Sequence, residues 1–91
     1  MTPSQVEILT DVYLAELPEA ARAGPAARGD ARFAVERIVF VIEAASRTGG
    51  LAAANATFQE GRRAGTIKIG YRRYLDQLIR QEVLAAARRA Q

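Results

Sequence analysis

The side chains in this chain best suited to chemistry are cations, and they crowd its last third. Arg62, Arg63, Lys68, Arg72, Arg73 and Arg80 fall close together, with Tyr71 and Gln77 between them. Guanidinium and ammonium groups neutralise phosphates and fix a protein's position on a nucleic acid without reading its sequence. Arginine can also grip a guanine edge bidentately, and glutamine an adenine edge. Residues 61–91 hold eight basic side chains against Asp76 and Glu82, a net of +6, whereas residues 1–60 hold five basic against eight acidic, a net of −3. Such asymmetry is the footprint of a polyanionic or acidic partner. Arg88 and Arg89 stand apart, as cations favoured at a helix C-terminus. Asp76, set among the arginines, reads as a local ion-pair partner.

Other chemistries lack their residues. The chain has no histidine and no cysteine, which removes imidazole general bases, imidazole triads, thiolate metal sites and disulfides together. Acidic residues are scattered singly, with no pair spaced for acid–base work. An enzyme is therefore the weakest function class, and no cofactor or metal is expected. The start of the chain has no basic stretch leading into a long apolar one, and the longest strongly apolar run, Ile38–Ile42, is far too short to span a bilayer. A cytoplasmic protein without membrane contact is the expectation.

The elements that must carry these cations are helical by pattern. Thr2-Pro3-Ser4-Gln5 is a capping box with proline at the first helical position. Val6, Leu9, Val12, Tyr13 and Leu17 then recur at three-to-four spacing, and Pro18 ends the run. Glu19–Ala23 adds one further turn. Residues 24–30 form the expected linker, with Asp30 as N-cap of a second helix over about 31–47. That helix carries Phe33, Val35, Ile38, Val39, Phe40, Val41 and Ile42, is apolar nearly all round, and is expected to be a buried central helix. Gly49-Gly50 ends it. A third helix, about 51–64, has Leu51, Ala54 and Phe58 on its inner face, is weakened at Gly61 by about 1 kcal/mol relative to alanine, and stops at Gly65. Thr66–Ile69 reads as an extended connector or very short strand. The last helix, about 70–89, sets Tyr71, Tyr74, Leu75, Leu78, Ile79 and Val83 on one face and Arg72, Arg73, Asp76, Gln77 and Arg80 on the other.

The expected fold is a single all-α domain of 91 residues, a compact bundle of about four helices. Residues 1–23 form an N-terminal helical segment, and residues 31–91 a core whose last three helices are ordered as in a helix-turn-helix. In that motif the second helix of the pair presents the residues of its first two turns to the major groove. Here those positions offer Arg72, Arg73, Asp76 and Gln77. Arg62, Arg63 and Lys68 flank them as phosphate contacts, and the Tyr71 hydroxyl is a further candidate.

The stretch Gly65-Thr66-Ile67-Lys68-Ile69-Gly70-Tyr71-Arg72-Arg73-Tyr74 resembles the C-terminal signature of the TraK-like family of conjugative-transfer proteins. Gly65, Ile67, Tyr71 and Tyr74 keep its spacing, and Phe58 matches the aromatic seven residues before the glycine. The likeness runs from about residue 38 to residue 80. The chain departs from the pattern at Thr66, usually basic, at Gly61, where a core leucine is usual, and in its acidic N-terminal third. The resemblance implies a small plasmid-borne DNA-binding accessory protein that helps assemble a relaxase at a transfer origin. The leading expectation is accordingly duplex DNA binding through Arg62, Arg63, Lys68, Tyr71, Arg72, Arg73, Gln77 and Arg80. The alternative is a non-enzymatic structural or interaction protein of a phage or other mobile element that uses the same basic face. A relaxase or another protein is a further partner expectation, and the apolar face of helix 1 is expected to pack either internally or against a second copy of the chain.

Overall fold

In the computed structural model, residues 1–49 and 51–90 are described, and their regular structure is entirely α-helical. Helix α1 spans Pro3–Glu16, α2 is the single turn Glu19–Arg22, α3 spans Ala27–Thr48, α4 Ala52–Ala64 and α5 Tyr71–Arg89. The N-terminal capping box forms as its residues dictate: the Gln5 N–H donates to Thr2 Oγ1 at 3.3 Å and the Thr2 N–H donates to Gln5 Oε1 at 2.9 Å. At the other end Leu17, held before Pro18, is extended (φ −76°, ψ 152°) and breaks the helix.

Helices α1, α3 and α5 make the core. Val6, Leu9 and Tyr13 of α1 meet Ala31, Val35 and Val39 of α3 and Ile79, Val83 and Ala87 of α5. Val35, Val83 and Ala87 are fully buried. Both α3 and α5 contribute residues four apart, so each lays one narrow stripe into the centre. The stripes are built from alanine and valine with one isoleucine, Ile79. Thr10 is fully buried with them, and its hydroxyl donates to the Val6 carbonyl at 2.8 Å, so it carries no unsatisfied polar group inward. The core thus needs α1, which is integral to it rather than added to a core beginning at residue 31.

Ion pairs record the directions of the helices. The N-terminal ammonium lies 3.1 Å from Glu43, near the end of α3, while Arg28, near its start, reaches Asp11 at 2.7 Å and Glu7 at 2.6 Å. Helix α3 is therefore antiparallel to α1. Arg88, near the end of α5, lies 3.6 Å from Glu16, so α5 runs parallel to α1 and their N-termini share one end of the bundle. Hydrogen bonds that Arg28 donates to Asp11 first and Glu7 second raise its pKa above the ordinary value. Pairs this exposed serve register more than stability.

Two sequence expectations are corrected here. Asp30 is not an N-cap: α3 already begins at Ala27, the Asp30 N–H donates to the Ala26 carbonyl at 2.9 Å, and Asp30 sits in the first helical turn. Pro25, with φ fixed near helical values, prepares that earlier start, and the linker contracts to residues 23–26. Nor is α3 buried on all sides. Phe33, Phe40 and Val41 are 62%, 67% and 60% exposed. The apolar face of α1, by contrast, packs inside the chain through Val6, Leu9 and Tyr13.

Helix α3 ends into Gly49, whose φ of +78° suits glycine; Gly50 lies outside the described residues. Helix α4 stands away from the three-helix core and docks on the start of α5. Phe58, 6% exposed, packs edge-on against Tyr71 (centroids 5.3 Å apart) and tilted against Tyr74 (5.2 Å). No helix among the described residues is long and apolar enough to cross a membrane.

Candidate functional site

Some polar side chains of the last third are engaged within the fold and others are free. Gly65 closes α4 in the left-handed conformation (φ +76°) expected of a helix-ending glycine. The chain then folds back on α4: the Thr66 and Ile67 N–H groups both donate to the Gly61 carbonyl, at 2.9 and 3.1 Å. Residues 66–69 therefore form an irregular connector and not a strand. Arg62 belongs to this latch. Its Nη1 donates to the Ile69 carbonyl at 3.2 Å, and its guanidinium lies 5.9 Å from the Phe58 ring centroid. Tyr71 is engaged as well, its hydroxyl donating to Asn55 Oδ1 of α4. Both side chains are among the expected phosphate contacts, and polar groups of both hold α4 and the connector to α5.

Gly61 has a specific place in this latch. A Cβ added there would lie 2.4 Å from Ile67 Cδ1 and 3.2 Å from Ile67 Cβ, so Ile67 occupies the space that a side chain at position 61 would need. Gly61→Leu is expected to destabilise the α4–connector unit by about 1–3 kcal/mol through overpacking, despite leucine's better helix propensity. Hydrogen exchange should show it as faster exchange confined to α4 and the connector; unchanged or slower exchange there would contradict the packing argument.

Arg72, Arg73, Gln77 and Arg80 form the free group. All four are exposed on α5, and none of the three arginines has a carboxylate partner within ion-pair distance among the described residues. Arg28, Arg32 and Arg88 are all in ion pairs. At 100° per residue, positions 72, 73, 76, 77 and 80 occupy a continuous arc on one side of α5, about 12 Å long at 1.5 Å per residue.

The neighbours of this arc were not legible from α5 alone. The first turns of α1 run beside it, and the two helices enclose a groove lined by Arg73, Gln77 and Arg80 from α5 and by Gln5 and Ile8 from α1. Arg72 lies on the other side of Met1 and Gln5, in a depression that reaches Ile42 and Glu43 of α3. Asp76 borders both. Because α1 and α5 are parallel, the positive ends of two helix dipoles point toward the end of the bundle that carries these arginines. Lys68 and Arg63 are exposed on the connector and on the last turn of α4. No group of three acidic residues among those described is arranged to hold a metal ion. Compared with known proteins, the chain matches no family model, no curated protein and no solved structure.

Proposed function

We propose that the protein binds duplex DNA through the first half of α5, as a small non-enzymatic accessory protein. The observation that carries this reading is the exposed, unpaired arc of Arg72, Arg73 and Arg80 with Gln77 among them. Three guanidinium groups left without carboxylate partners, gathered on one side of one helix, suit a partner that supplies the anions. In this reading Arg72, Arg73 and Arg80 contact phosphates, Gln77 faces base edges, and Lys68 and Arg63 extend the contact along the backbone. Arg62 and Tyr71 act indirectly, by holding the connector that aims α5. The parallel N-termini of α1 and α5 add positive potential at the same end. The resemblance of residues 65–74 to the TraK-like signature supports the same assignment and points to a relaxase as a protein partner.

A titration with duplex DNA followed by amide chemical shifts tests the location. The largest perturbations are expected at residues 72–80, with smaller ones at Arg63, Lys68 and the first turn of α1. Perturbations concentrated on α3 or the far ends of the helices, or none at low salt, would refute the proposal.

A further inference from the structure

We infer that α4, the connector and the first turn of α5 form a clasp that opens and recloses while the α1–α3–α5 core stays folded. Among the described residues of α4 only Phe58 is buried, and it is not part of the core cluster. Among the described residues α4 shares no broad interface with α1, α3 or α5. Its aromatic and hydrogen-bonded contacts run to residues 66–74. The Phe58 ring meets Tyr71 and Tyr74, Asn55 takes the Tyr71 hydroxyl, Arg62 reaches the Ile69 carbonyl, and the Gly61 carbonyl accepts from Thr66 and Ile67.

Energetics separate this unit from the core. A helix of 13 residues is marginal in water on its own, so α4 depends chiefly on one buried ring for its place. Its N-cap Leu51, and Gly70 at the start of α5, make no side-chain capping hydrogen bond. Neither helix start is therefore held by its own cap, unlike α1 with its Thr2–Gln5 box. The first residue of α5 in the core is Ile79. Before it, α5 is bordered by the depressions that reach Met1, Gln5 and Ile42. Parting Phe58 from the two tyrosines thus breaks no contact within the core cluster. Segments joined to the rest through few buried apolar contacts open at lower free energy than the global transition.

The clasp carries charge across its joint. Arg63 and Lys68 lie on α4 and the connector, and Arg72 and Arg73 lie in the turn that holds Tyr71 and Tyr74. Gln77 and Arg80 lie beside the core residue Ile79. A polyanion that touches both sets binds the closed form better than the open one and shifts the equilibrium toward closure. This consequence rests on the DNA reading; the clasp itself does not.

Amide hydrogen exchange of the whole chain, read residue by residue by NMR in low denaturant, tests this. The hydrogen-bonded amides of α4 and the connector are expected to exchange through one shared opening, with protection about tenfold or more below that of Val35 and Val83. Phe58→Ala should lower the α4 protection by a further factor of about ten or more. Tyr71→Phe, which keeps the ring and loses the Asn55 contact, should lower it by a smaller factor. In both variants the Val35 and Val83 amides are expected to keep their protection. A duplex of mixed sequence at low salt should slow exchange in the clasp more than in the core. Protection of α4 equal to that of the core, or a loss at Val35 and Val83 in Phe58→Ala that matches the loss in α4, would overturn the clasp. A duplex that binds yet leaves α4 exchange unchanged would overturn the coupling. Failure of the duplex to bind contradicts the DNA reading instead, and exchange of the free protein still decides the clasp.

Discussion

Replacing Arg72, Arg73 and Arg80 together by alanine is expected to weaken duplex binding by roughly 10²–10³-fold at low salt, with the fold intact. All three are exposed on α5 and held by no carboxylate among the described residues, so their removal breaks no ion pair, and alanine keeps the helix. Each lost phosphate contact should lower the slope of log affinity against log salt by about 0.9, hence by about 2.7 for the three. The decisive control removes the same formal charge elsewhere. Arg28, Arg32 and Arg88 are held by Glu7, Asp11, Glu36 and Glu16, and their triple alanine variant should lose less than about tenfold with little change in slope, since rim and distant charges act mainly through long-range steering. Equal losses in the two variants would mean that overall charge, not the α5 arc, governs binding.

The second large effect is on stability. Val83→Asp is expected to abolish the cooperative thermal transition at neutral pH. Val83 is fully buried where α5 meets α1 and α3, and no cation is among the core residues around it. An unpaired carboxylate there costs several kcal/mol, against a total stability of about 5–14 kcal/mol for a domain of this size. The same residue at position 80, one turn earlier and exposed, should leave the melting curve nearly unchanged. Circular dichroism distinguishes the outcomes. A native-like transition in Val83→Asp would mean that the α1–α3–α5 core is not what holds the chain together.

How much of this was legible in the sequence depended on whether the signal was local. The Thr2–Gln5 capping box, the break at Leu17-Pro18 and the left-handed Gly65 depend on neighbours within four residues, and each forms where those residues place it. The start of α3 was misplaced because Ala26-Ala27 carries no capping side chain, whereas Asp30 is a good cap that the chain does not use as one. The burial of α3 was misread for a different reason. In a helix apolar on nearly every side, periodicity cannot choose a core face. Packing chose the smaller residues Ala31, Val35 and Val39 and left Phe33 and Phe40 outside.

The candidate site divides along the same line. Arg72 lies on nearly the same helical line as the buried Ile79 and Val83, so periodicity does not set its exposure. Exposure of Arg73, Gln77 and Arg80 follows from their position away from most of the apolar stripe of α5. The roles of Tyr71 and Arg62 do not, because Tyr71 is tied to Asn55, sixteen residues away, and Arg62 to the Ile69 carbonyl across the connector. The proximity of α1 to the arc is a tertiary fact, set by the parallel direction that the Arg88–Glu16 contact records. Gly61 joins both kinds of information: its weak helix propensity is visible in the sequence, while its need to remain glycine comes from Ile67 folding back over it.

The most direct test of the central claim is the affinity of the unmodified protein for duplex DNA, measured by fluorescence anisotropy between about 50 and 300 mM salt. Binding through Arg72, Arg73 and Arg80, with Arg63 and Lys68 at the edges, predicts a straight line of log affinity against log salt with a slope of roughly −3 to −5. No binding at the lowest salt, or an affinity that does not change across the series, would contradict it.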